Sequence, residues 1–120
     1  MNICYNHIVL IGRLTKDSEL QETPNAKKAT LRLAVDRPYK NGDGSTETDF
    51  FNVVFWGKRA DVAGNFLKKG RLILIEGRLQ IRPYEVDGIR KFITEVIADN
   101  FRFLEPRRKE TMEDLAFEAS

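Results

Sequence analysis

The sequence predicts an all-β fold: a five-stranded Greek-key barrel with one helix between its third and fourth strands. Three observations carry this reading. Short runs of β-branched and aromatic residues are separated by Gly, Pro, Asn and Asp turns. One stretch, Ala60–Leu67, spaces its apolar residues as a helix does. These segments arrive in the order three strands, a helix, then two or more strands.

Ile8–Leu14 is an apolar run broken by Gly12, as expected where a strand bends sharply in a small barrel. Thr23-Pro24-Asn25 marks a turn, after which Thr30–Asp36 alternates with Leu31, Leu33 and Val35 on one face. Asn41-Gly42-Asp43-Gly44 lies within a projecting loop over Tyr39–Thr46. Thr48–Trp56 is the strongest strand, dominated by aromatic and β-branched side chains. In Ala60–Leu67 the apolar stripe is Val62, Ala63, Phe66 and Leu67; Lys68 and Lys69 suit the helix C-terminus and Gly70 its left-handed cap. Arg71–Glu76 and Arg78–Val86 flank Gly77, and Asp87-Gly88 turns the chain into Lys91–Ala98. That order is the OB-fold. An SH3-like barrel fits the strand count but not the helix.

Composition removes several function classes. With 120 residues, 42% hydrophobic and 32% charged, the chain reads as one globular domain over 1–104 followed by a short acidic tail, 105–120. Apolar runs such as Ile8–Ile11 and Leu72–Ile75 are four residues long, against the roughly 20 that a membrane span needs. The N-terminus lacks the basic start and apolar stretch of a signal peptide, so a cytoplasmic protein is expected. A single cysteine, Cys4, and a single histidine, His7, argue against an internal disulfide, a histidine metal cluster and a Ser/Cys–His hydrolase. Asp36, Asp49, Asp61 and Glu76 form no recognisable acid–base pair, and no phosphate-binding glycine loop is present. Neither an enzyme, a cofactor nor a metal is expected. Residues 1–104 carry 17 Lys+Arg against 13 Asp+Glu, whereas 105–120 carry 3 against 5.

Strand parity then separates core from surface. In Thr48–Trp56 the odd positions Phe51, Val53 and Phe55 make one apolar face, yet the even positions Phe50, Asn52, Val54 and Trp56 are also rich in large apolar groups. A barrel has one interior, so Phe50 and Trp56 need another partner. After Gly77, Leu79 and Ile81 share one face while Arg78, Gln80, Arg82 and Tyr84 share the other, and Tyr39 is flanked by Arg37 and Lys40. Rings beside cations suit single-stranded nucleic acid. Every base offers a π-face, so stacking tolerates any sequence, and cations neutralise phosphates regardless of sequence.

Two segments go further than pattern. Asn6-His7-Ile8-Val9-Leu10-Ile11-Gly12-Arg13-Leu14 opens the chain. Phe55-Trp56-Gly57-Lys58 then leads through Phe66-Leu67-Lys68-Lys69-Gly70 to Ile75-Glu76-Gly77-Arg78-Leu79. Over nearly all of residues 5–104 the chain resembles bacterial single-stranded DNA-binding proteins of the homotetrameric OB-fold type. The resemblance implies base stacking by Tyr39, Phe50, Trp56 and Tyr84, with tyrosine or phenylalanine where tryptophan is frequent, a change that keeps the π-face and reduces its area. It implies phosphate contacts at Lys40, Lys58, Lys68, Lys69, Arg82 and Lys91. Proximity and parity add Arg13, Arg37, Arg59 and Arg78. It also implies a homotetramer, a cytoplasmic, nucleoid-associated location, and a role protecting exposed strands in replication, repair or recombination.

The tail departs from that pattern. Family members commonly end in a Gly/Pro/Gln-rich linker and an acidic tip closing on Pro-Phe, which docks replication and repair enzymes. Here Glu113-Asp114-Leu115-Ala116-Phe117 resembles a degraded tip, with Asp114, Leu115 and Phe117 as candidate partner-binding residues and Glu118-Ala119-Ser120 after the phenylalanine. A solvated acidic end or a short capped helix fits the same residues. Two other readings of the aromatic face stay open, an RNA-binding module and a protein-docking module.

Overall fold

The computed structural model describes residues 3–105. The chain runs β1 (Ile8–Leu14), β2 (Glu19–Glu22), β3 (Lys27–Lys40), β4 (Thr46–Trp56), α1 (Lys58–Phe66), β5 (Leu72–Val86) and β6 (Ile89–Phe103). Five strands close a barrel: β1 pairs with β3, β3 with β4, β4 with β6, β6 with β5, and β5 back with β1. The β4–β6 pairing is parallel and the others antiparallel.

β2 is the strand that sequence pattern missed. Its four residues, Glu-Leu-Gln-Glu, are all exposed and lack any apolar alternation, and they only extend the β3 edge. Because β2 is not a stave, α1 still lies between the third and fourth strands of the barrel.

β1 closes the barrel by changing partners. It pairs with β5 over Ile8–Arg13, then with β3 at Arg13 and Leu14. The bend falls at Gly12, where a Cβ would run into the carbonyl oxygen of Ala34. The interior is filled by Leu33, Val53, Phe55, Leu67, Ile73 and Ile75 among others, and Phe55 meets Phe101 edge-to-face at 5.7 Å between centroids.

The helix differs in detail from its expected form. It begins two residues earlier and ends at Phe66; Lys68, Lys69 and Gly70 lie in the turn beyond it. Gly70 does have positive φ, but in that turn, where its N–H donates to the Leu14 carbonyl. The buried stripe is Ala60, Ala63 and Leu67, whereas Val62 and Phe66 are exposed. Small residues let the helix lie close against the barrel end, so the bulkier pair is left outside. Lys27 of β3 donates to Asp61 in the helix's first turn, which raises the Lys27 pKa and ties the two elements together.

β5 and β6 continue past the barrel as a two-stranded arm, closed by a tight turn with positive φ at Asp87 and Gly88. Their register is regular from Gly77 to Val86 and slips by one between Glu76 and Gly77. At that bulge a Cβ on Gly77 would collide with the Ile97 carbonyl oxygen. Asn6 latches the arm's base, donating to the Leu79 carbonyl at 2.7 Å and accepting from the Leu79 N–H at 2.9 Å. Beyond the barrel, Leu79, Ile81 and Phe92 have nothing to pack against and stay exposed.

Candidate nucleic-acid interface

The β3–β4 register decides which side chains share a face. It is unbroken from Lys28↔Trp56 to Asp36↔Thr48, so alternation along β4 is regular. Val53 and Phe55 point into the core, and Phe50 and Trp56 point away, 53% and 47% exposed. Val54, although on the outward face, is buried beneath the groove described below.

Opposite these rings, β3 sets cations. Lys28 pairs with Trp56 and holds its Nζ 5.6 Å from the ring centroid. Arg32, opposite Asn52, lays its guanidinium 4.8 Å from the Phe50 centroid. Both cations went unselected in the sequence, although the inward Leu31, Leu33 and Val35 already put Thr30 and Arg32 on the outward face.

Between the two ring positions lies a groove of about 270 Å³, lined by Lys16, Thr30, Arg32, Asn52, Val54 and Glu95 among others. Glu95 of β6 is opposite Gln80 and accepts from Arg82 Nε at 3.0 Å, which raises the Arg82 pKa. Arg82 and Tyr84 alternate onto the same face of the arm as Glu95's partner Gln80. The groove side thus gathers Phe50, Trp56, Arg82 and the approach to Tyr84, which is 39% exposed.

Tyr39 stands apart. Its hydroxyl lies 3.5 Å from Arg37 Nη1, and Arg37 grips Asp49 with two hydrogen bonds of 3.0 and 3.1 Å. That grip holds the Asp49 carboxyl below its ordinary pKa. The β3–β4 register shifts between Asp36 and Lys40, so Tyr39 sits in the irregular stretch beyond the regular face that carries Phe50 and Trp56.

The basic residues divide by partner. Arg13 pairs with Glu105, Arg37 with Asp49, Arg78 with Asp99 and Arg82 with Glu95. Among the described residues, Lys40, Lys58, Arg59, Lys68, Lys69 and Lys91 join no ion pair. Lys58 opens α1 two residues after Trp56. No group of His, Cys, Asp and Glu that could hold a metal occurs among the described residues.

Residues 5–104 match the model of the Single-strand binding protein family. The chain belongs to that family. Curated relatives named "Single-stranded DNA-binding protein" come from Bacillus cereus, 51% identical over 104 residues and 85% of this chain, and Clostridium tetani, 51% identical over 109 residues and 88% of this chain. "Single-stranded DNA-binding protein A" of Bacillus subtilis is 53% identical over 104 residues, 85% of this chain. The chain spans 61%, 74% and 60% of those three relatives' lengths respectively. Among solved structures, a Plasmodium falciparum SSB complex with ssDNA superposes with a TM-score of 0.77 at 27% identity, covering 88% of this chain and all 100% of that one. The matched region has the OB-fold expected of the family. The tail candidates Asp114, Leu115 and Phe117 lie outside both the described residues and the matched region.

Proposed function

We propose that the protein binds single-stranded DNA without strict sequence dependence and shields it during replication, repair or recombination. The observation that carries this reading is the pair of half-exposed rings, Phe50 and Trp56, on the outward face of a core strand with Arg32 and Lys28 over them. A ring left outside the core beside a cation offers a base its π-face and the adjoining phosphate a counter-charge. Family membership and the relatives' names support the same ligand.

In this reading Phe50, Trp56 and Tyr84 stack on bases along the groove side, and Tyr39, at the base of the β3–β4 loop, stacks on a further base. Lys40, Lys58, Lys68, Lys69, Lys91 and Arg59 contact phosphates directly. Arg13, Arg37, Arg78 and Arg82 must share their guanidiniums with carboxylates. The activity is binding, with no catalytic step. Exposed Val9, Ile11, Leu79, Ile81 and Phe92 favour assembly of several copies, a homotetramer by analogy with the resemblance. Residues 1–104 act as the binding domain and 105–120 as an acidic tail available to replication and repair proteins. Among the described residues no helix is long and apolar enough to cross a membrane.

Trp56 is the chain's one tryptophan, so its fluorescence reports the proposed site alone. Titration with oligo(dT) is expected to quench it in a salt-sensitive way, with little response to duplex DNA. Oligo(U) in parallel ranks RNA against DNA. No quenching by oligo(dT), together with no shift in a gel assay, overturns the reading and leaves the rings as a protein-docking face.

A further inference from the structure

The groove holds a charge of the wrong sign for a phosphate. Glu95 is 8% exposed, the least exposed charged residue among those described. Its Oε1 accepts from Arg82, and its Oε2 receives no hydrogen bond from a described residue. That second oxygen is not sealed from solvent; it opens onto the groove and is free to accept. Asn52, an exposed residue, lines the same groove, and its amide, with two donors and an acceptor, bonds to no described residue. A phosphate does not fit beside these groups, because Glu95 would repel it.

A base edge fits both. Strands rise about 3.3 Å per residue, so Asn52 stands roughly 7 Å along β4 from Phe50 on the same face. A base stacked on Phe50 can therefore turn its hydrogen-bonding edge over Asn52 and into the groove. A carboxylate oxygen accepts from the exocyclic amino group of cytosine, whereas thymine presents the O4 acceptor in that place. Arg82 fixes Glu95 through one oxygen and leaves the other for the ligand.

We propose that Glu95, with Asn52 beside it, recognises the exocyclic amino group of a base in this groove. Binding along the rest of the surface ignores sequence, while this one subsite favours an amino-bearing base over thymine. The inference rests on the single-stranded DNA reading above.

The test compares labelled oligo(dC) and oligo(dT) of equal length on the full chain and on Glu95→Gln. The glutamine oxygen can still accept from Arg82, while its amide can donate to thymine O4. The affinity ratio of oligo(dC) to oligo(dT) is expected to fall about fivefold or more in the variant. If both affinities shift by one common factor, Glu95 acts only through charge or by holding Arg82, and the inference is overturned. A second measurement needs no variant. An oligomer built on 2-pyrimidinone, which is cytosine without its amino group, is expected to bind the unaltered protein more weakly than oligo(dC), and equal binding overturns the inference alone. Failure of the unaltered protein to bind any of these strands removes the parent reading instead.

Discussion

Replacing Trp56 by alanine tests the stacking surface at a half-exposed ring beside a cation. The ring is 47% exposed, so a base can cover roughly half of it, and the strand beneath keeps its register through β3. One base–aromatic stack contributes roughly 1–3 kcal/mol by alanine substitution. Lys28 already lies 5.6 Å from the ring centroid. That contact, about 0.5–1 kcal/mol at an exposed site, must be shared with or yielded to the base. The net loss therefore falls in the lower part of the range, about 1–2 kcal/mol, or about 5- to 30-fold in Kd. Anisotropy of a labelled oligo(dT), measured at several salt concentrations, reads this without the lost fluorophore. Because no charge is removed, the slope of log affinity against log salt is expected to stay unchanged. Unchanged affinity in a folded variant would refute the stacking role. A loss accompanied by a shallower slope would assign it to a displaced Lys28 instead.

Three further outcomes are expected. Lys58→Ala lowers affinity about equally for oligo(dT), oligo(dC) and oligo(dA) and reduces the salt slope by about 0.7; an unchanged slope takes Lys58 off the phosphate path. Gly77→Ala puts a Cβ against the Ile97 carbonyl and 2.9 Å from Ala98 Cα, destabilising by about 1–3 kcal/mol in urea unfolding, and an equally stable variant contradicts the close approach. Glu105→Gln tests a pH dependence. The Glu105 carboxyl accepts from the Leu72 N–H at 2.9 Å and then from Arg13, so its folded pKa lies below the ordinary 4.5. Its stabilisation is complete above the unfolded value and fades as pH falls through the folded one. The variant should therefore be less stable than the unaltered protein near neutral pH, with the gap narrowing under acid. A gap independent of pH would show that the ionised form is not favoured by folding.

The parts of this structure that were legible in the sequence are those where a local rule and the tertiary demand coincide. β1 could be bounded at both ends because its apolar run and Gly12 bend both belong to the barrel closure. Phe50 and Trp56 were separable from the core because β4 carries no bulge between Thr48 and Trp56. β2 was not legible, since its pairing depends only on a neighbouring edge and leaves no mark on its own side chains. The helix stripe was misassigned because hydrophobicity ranks Val62 and Phe66 above Ala60, whereas the short distance to the barrel selects small residues. Tyr39 shows a further limit. Alternation cannot assign its face, because the β3–β4 register shifts between Asp36 and Lys40 around it. Glu95 was invisible because it becomes unusual only once β6 brings it beside Asn52.

Ion pairing adds a distinction among the basic residues that a count of charges hides. Arg13, Arg37 and Arg78 meet Glu105, Asp49 and Asp99 at partly exposed sites. Exposed pairs of this kind contribute about 0–1 kcal/mol, so a phosphate can replace the carboxylate at little cost. Each carboxylate meanwhile holds its guanidinium extended and oriented before any ligand arrives. Arg82 is different, because its partner Glu95 is the one buried carboxylate among the described residues. A phosphate arriving at Arg82 would meet that carboxylate as well, so Arg82 is less free than the other arginines to take one. In the proposed reading, the lysines that join no ion pair among the described residues therefore supply the sequence-independent attraction. The Arg82–Glu95 pair, fixed at the groove floor, has the rigidity that recognition of a base edge requires and that neutralisation of a mobile backbone does not.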